Sequence, residues 1–176
     1  MPTRAEILDT LTASQTQVMA FFQGLSPEDL ERPATASDVP GAAPWRAKDH
    51  FAHLVKNERN IQQLLRRTLA GETGMPDNLG ALTPEEEERL EMAIASLNQT
   101  YLNAHHDDSM EMLAADFLAA RQETLDLLQQ FTDDQLATSM PPQPSGDRSA
   151  GDLFASHARH AAEHTTWIEE GFRQGV

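Results

Sequence analysis

Ser149-Ala150-Gly151-Asp152-Leu153-Phe154-Ala155-Ser156-His157-Ala158-Arg159-His160-Ala161-Ala162-Glu163-His164-Thr165-Thr166-Trp167-Ile168 is the stretch that decides the fold. It opens on a capping signature, with Ser149 placed three residues before Asp152. At 100° per residue, Leu153, His157, Ala161, His164 and Ile168 share one arc of under roughly 90°. His160 lies beside that arc, and Phe154 and Phe172 close its other edge. The pattern predicts a long amphipathic helix to about Phe172, with histidines pointing where a core should be.

The same signals recur outward from this helix. Thr3 to about Gly24 carries a helical stripe of Ile7, Leu8, Leu11, Val18, Phe21 and Phe22, with a polar break at Ser14-Gln15. Leu25-Ser26-Pro27-Glu28-Asp29-Leu30 reads as a capped turn, with Pro27 at its first position and Leu25 stapled to Leu30. Glu31 to Ala43 reads as a loop. Trp45 to about Leu69 is a second helix whose apolar face holds Phe51, Leu54, Ile61, Leu64, Leu65 and Leu69. Gly71 to Leu82 is a connection rich in glycine.

Thr83-Pro84-Glu85-Glu86 starts another helix, and its acidic run Glu85 to Glu88 is stabilised beside the positive helix end. A continuous rod from there to Gln130 would be about twice the length of its neighbours at ~1.5 Å per residue. The polar segment Asn98 to Ser109 therefore reads as a break. Asp108 or Ser109 caps a new helix to about Gln130, with Leu113, Phe117, Ala120, Leu125 and Leu128 facing inward. Phe131 to Gln135 is a short capped turn and Met140 to Arg148 a loop. Four long helices plus an inserted one make an all-α bundle, expected to occupy residues 1–176 as a single domain.

Composition narrows the function. The 176 residues carry a formal charge of -15 and contain no cysteine. Such a field repels nucleic-acid phosphates and anionic membranes, so neither is an expected partner. Disulfides, thiolate zinc sites and a cysteine nucleophile are excluded. No apolar run approaches the ~18–20 residues that span a bilayer. The N-terminus turns polar and helical at once, so a cytoplasmic protein is expected.

His160 and His164 stack about one turn apart on one helix face, within reach of a single cation. His53 lies at the edge of the second helix's apolar face, and His50 closer to its centre. Three unsatisfied buried imidazoles would cost about 1–3 kcal/mol each, against a typical net stability of ~5–15 kcal/mol. A metal ion would satisfy all three at once. Hydrogen bonds to Asn57, Glu58, Glu163 or buried water are the alternative. His157 is placed either behind the pair or as an alternative ligand, and His105 and His106 fall in the predicted break. A three-histidine set suits zinc, nickel, copper or iron.

Pro44-Trp45-Arg46-Ala47-Lys48-Asp49-His50-Phe51-Ala52-His53-Leu54 places a histidine eight residues after a tryptophan, and His160-Ala-Ala-Glu-His164 is followed shortly by Ile168. With Leu25 to Leu30 and Ser109 to Leu136, these segments resemble the DinB/YfiT-like metalloenzyme family over nearly the whole chain. The resemblance implies a four-helix bundle, up-down-down-up, with a long crossover. It implies that His53, His160 and His164 bind a divalent metal, zinc or nickel. Some relatives use a low-molecular-weight thiol, and homodimers are common. The chain departs from the family pattern at Arg46, where Ser or Thr often caps the helix, at Glu163, and in its long inserted acidic helix.

The resulting expectation is a metal-dependent transferase, isomerase or hydrolase, thiol-dependent by resemblance, acting on a small molecule. Glu58 and Glu163 are candidate proton acceptors and His157 a candidate acid or base. No Gly-x-Ser-x-Gly, phosphate loop or dinucleotide fingerprint offers another chemistry. Two alternatives remain: a non-catalytic metal- or ligand-binding bundle, and a plain helical dimer with hydrogen-bonded histidines.

Overall fold

The computed structural model describes residues 2–72, 83–140 and 149–175. The elements run α1 (Arg4–Gly24), α2 (Pro27–Glu31), β1 (Pro33–Thr35), β2 (Trp45–Arg46), α3 (Ala47–Leu69), α4 (Pro84–Ala104), α5 (Met110–Gln130), α6 (Asp133–Leu136) and α7 (Ala150–Gln174). Polar caps set most helix starts: the hydroxyls of Thr3, Ser26, Thr83, Ser109, Thr132 and Ser149 each accept a backbone N–H two or three positions into the helix. The connections at 73–82 and 141–148, read from sequence as loops, lie outside the described residues.

Four helices close a ring in which α1 packs on α7 and α5, and α3 packs on α5 and α7. Side-chain pairs give their directions. Phe51 meets Phe117, Glu58 meets Arg121 and Gln62 meets Thr124, so α3 and α5 run parallel. His50 faces His164, His53 faces His160 and Glu58 faces His157, so α3 and α7 run antiparallel. Arg4 donates to the Leu128 carbonyl and Arg121 to that of Leu11, which sets α1 against α5. Ser14, Val18 and Phe21 line one crevice with Ala158, Ala161 and Thr165, which sets α1 alongside α7. The order is up, down, down, up, as expected.

Parallel α3 and α5 need a connection that returns to the starting end, and α4 supplies it. Lys56 on α3 donates to Asn98 on α4 (2.5 Å), and Arg46 at the head of α3 reaches His106 just after α4. The helix persists to Ala104, so the break is confined to residues 105–109 rather than beginning at Asn98. Asn98, Thr100 and Tyr101 are weak helix formers, and burial of Asn98 and Leu102 against α3 carries the helix on past them.

The core has two apolar clusters with a polar layer between them. One gathers Val18, Phe22, Phe51, Val55, Phe117, Ala161 and Ile168. The other gathers Ile7, Leu11, Leu65, Leu127, Leu128, Leu153 and Phe154. Between them sit buried Ser14, Glu58, Gln62, Arg121, Thr124, Ser156 and His157. The polar break read at Ser14 in α1 is one layer of this stack.

The stretch read as a loop after Glu31 contains β1, which pairs antiparallel with β2 in the register Pro33 to Arg46 and Thr35 to Trp45. The second helix therefore starts at Ala47, two residues later than expected. At that start Asp49 receives the Arg46 backbone N–H (2.8 Å) and its guanidinium (2.7 Å), so Arg46 is fixed from the side of the carboxylate.

Candidate metal centre

The histidines are brought together by the antiparallel pairing of α3 and α7. His50 and His53 are three residues apart on α3, and His160 and His164 four apart on α7, so each pair projects from one helix face. His53 Nε2 and His160 Nε2 are 3.1 Å apart. One nitrogen each from His53, His160 and His164 lies within 4.8 Å of the others. Two nitrogens bound to one ion at ~2.0–2.1 Å in tetrahedral geometry would be about 3.3 Å apart, so the donor set fits a divalent metal.

Burial makes these donors neutral. Desolvation, then repulsion from His160, pushes His53 down to about 3. Desolvation pushes His160 down to about 4, with His157 and Arg159 adding to the effect. His164 falls well below the usual imidazole range for the same first reason, with His53, His160 and His50 reinforcing it. Neutral imidazoles keep the lone pairs a metal needs. His53 Nδ1 is buried without a partner, which leaves that side of the ring to packing alone.

His50 is buried against the same group. Its Nδ1 lies 2.7 Å from His164 Nδ1, and its Nε2 lies 3.1 Å from Thr35 Oγ1 on β1. Trp45 packs its ring near His50, His53 and His164 at centroid distances of 5.3, 5.2 and 6.4 Å. Trp167 meets His164 edge-on, with ring centroids 4.7 Å apart.

The triad stands between two clefts. One of about 530 Å³ lies among α3, α4 and α7, and offers Lys56, Asn57, Asn60, Arg159 and Glu163 over Ile61, Ile94, Leu97 and Leu153. The other, of about 390 Å³, runs past Thr35, Asp38, Trp45, His50, His164 and Trp167. His53, His160 and Asn98 line both.

The other sequence candidates are placed differently. Glu58 lines neither cleft. It accepts from Arg121 Nε (2.8 Å) and Nη2 (3.1 Å) and from the Thr124 hydroxyl (2.7 Å). Burial pushes its carboxyl up, but His157 and Arg121 outweigh that and hold it well below the usual carboxylate range. His157 Nδ1 is 3.1 Å from Glu58 Oε2, and neither ring nitrogen makes a hydrogen bond. Glu163 lines the larger cleft, with Oε2 3.8 Å from His160 Nδ1. His105 pairs with Asp108 at 2.6 Å and His106 with Arg46 at 3.0 Å, away from the triad. Sequence reasoning passed over Thr35, Asn98 and Trp167. Only the central position of His50 on its helix face signalled that it too belongs here.

A family model, the mycothiol maleylpyruvate isomerase N-terminal domain, matches residues 11–166. The chain belongs to that family. The match runs from within α1 through most of α7 and includes the whole histidine constellation, and its name differs from the DinB/YfiT-like resemblance drawn from motifs. A crystal structure of an uncharacterised protein from Escherichia coli UTI89 is similar in fold, with a TM-score of 0.68 at 15% identity over 98% of this chain and 94% of that one. No curated protein matches. As a member of the mycothiol maleylpyruvate isomerase N-terminal domain family, the chain is an all-α bundle with a histidine triad able to hold a metal ion. Among the described residues, no helix is long and apolar enough to cross a membrane.

Proposed function

We propose that this protein is a metal-dependent enzyme of the DinB/YfiT-like type that uses a low-molecular-weight thiol to transfer to, or isomerise, a small electrophile. The observation that carries the reading is the convergence of two buried imidazoles and one half-buried one, all held neutral, at the boundary of two clefts. His53, His160 and His164 would hold zinc or nickel. A divalent ion there would lower the pKa of a thiol or water and polarise a carbonyl.

The chain's own residues supply the rest. Lys56 and Arg159 give the larger cleft positive character in a chain of net charge -15, which favours an anionic small molecule. Asn57, Asn60 and Asn98 offer amide donors and acceptors, and Ile61 and Leu153 an apolar floor. Trp45 and Trp167 wall the smaller cleft and restrict water beside His164. Glu163 takes the role of proton acceptor, since it opens to the larger cleft. Glu58 acts as the structural partner of Arg121, and His157 lies against Glu58. The family description, which names a mycothiol maleylpyruvate isomerase, supports the thiol. A cytoplasmic homodimer is part of the same proposal, and sedimentation analysis tests the dimer.

Metal per chain, measured on protein purified without an affinity tag, tests the centre. About one ion per chain is expected, with loss in His160→Ala and in His164→Ala. Unchanged metal in those variants removes the site. Turnover of small electrophiles with added thiols, in metal-loaded but not metal-free protein, separates an enzyme from a non-catalytic metal-binding bundle.

A further inference from the structure

His50 is not one of the three converging donors, yet it is almost wholly buried at 1% exposure and touches one of them. Its Nδ1 is 2.7 Å from His164 Nδ1, a distance that requires a proton between the two nitrogens. Two neutral imidazoles carry one N–H each, so only two arrangements exist. In one, His50 donates from Nδ1; His164 then carries its proton on Nε2 and has no lone pair left for a metal. In the other, His164 donates from Nδ1, which frees the His164 Nε2 lone pair. His50 must then carry its own proton on Nε2, which Thr35 Oγ1, 3.1 Å away, can accept. That hydroxyl could equally donate to His50 Nε2 in the first arrangement, so it is the metal's need for the His164 Nε2 lone pair that selects the second.

We infer that His50 is a positioning residue that, backed by Thr35, fixes His164 as the Nδ1–H tautomer and so presents its Nε2 to the metal. The inference rests on the metal reading above, which selects the second arrangement, and the metal-free protein shows whether His50 has already set it. The support is built into the fold. Thr35 is held by the β1–β2 ladder, and β1 in turn lies against α7, the helix that carries His164. Strand and ligand therefore share one frame. Partners behind ligating histidines that set ring orientation typically contribute 10–100-fold in metal affinity.

Two substitutions separate the hydrogen bond from packing. His50→Leu fills space but accepts no proton; His50→Asn places a carbonyl oxygen near the position of Nδ1. Zinc affinity is read by competition with a chromophoric chelator, and the His164 tautomer by nitrogen-15 NMR of metal-free protein. His50→Leu is expected to weaken zinc binding by about 10–100-fold and to shift His164 toward Nε2–H, with both restored in large part by His50→Asn. Wild-type affinity and tautomer in His50→Leu overturn the inference, as does a loss that His50→Asn does not restore. If His50→Leu does not fold, Thr35→Val replaces it: a severalfold loss and a partial tautomer shift are expected, and no change in either refutes the role. If the wild-type chain binds no zinc, the metal reading fails, and the NMR comparison alone decides whether His50 sets the tautomer.

Discussion

Arg121 is fully buried, yet each nitrogen of its guanidinium has a partner: Nε and Nη2 donate to Glu58, and Nη1 to the Leu11 carbonyl at 2.7 Å. Together with Thr124, Gln62 and His157, this group ties α1, α3, α5 and α7 at mid-height. Removing one partner leaves a buried charge uncompensated. Arg121→Met is therefore expected to lower unfolding free energy by about 3–5 kcal/mol, read from urea denaturation. Adding Glu58→Gln to it should cost less than the sum of the two single changes, by about 0.5–3 kcal/mol. Additive effects would mean that the pair does not interact as the distances indicate. None of this was legible in the sequence, because the partners are 63 residues apart and share no local period. The triad was legible for the opposite reason: His160 and His164 are set by one helix's geometry, and only the pairing with His53 needed the fold.

Helix starts were legible because a cap is a local event: Thr83 before Pro84, and Ser149 before Asp152, each satisfy orphan amides within one turn. The β1–β2 ladder was not, because two or three residues have no readable period and pair only across a tertiary approach. That approach depends on Gly171. A Cβ built there would lie 1.7 Å from the Ala34 carbonyl oxygen, a backbone atom that cannot swing aside. Gly171→Ala must therefore push β1 off α7. Overpacking of this kind costs about 1–3 kcal/mol, and here it also moves Thr35 away from His50. A lower thermal midpoint with weakened zinc binding is expected. Weakened stability with wild-type zinc affinity would show that β1 does not govern the metal centre.

Over the whole molecule, acidification sets two forces against each other. The chain carries 28 acidic and 13 basic side chains, so lowering pH toward its pI near 4.7 relieves repulsion and favours the folded state. The buried histidines push the other way. His50, with burial as its main cause, is lowered to about 4, His53 to about 3, His160 to about 4, and His164 further. In the unfolded chain each binds a proton near ~6.5. Below that pH the unfolded state holds more protons than the folded one, so stability is present above ~6.5 and is lost as pH falls toward the folded values. Each histidine contributes at most about 1.4 kcal/mol per pH unit in that window. Surface carboxylates have reference values of about 3.9–4.3 and barely titrate above pH 5.5. Between pH 6.5 and 5.5 the histidines therefore act almost alone, and metal-free protein should lose stability there despite its acidic surplus. Urea midpoints in chelator at pH 7.5, 6.5 and 5.5 measure this directly, and His53→Phe should flatten the slope. A midpoint that holds steady or rises across that interval would mean that the imidazoles are not kept neutral in the folded chain, and the metal centre would lose the lone pairs on which it depends.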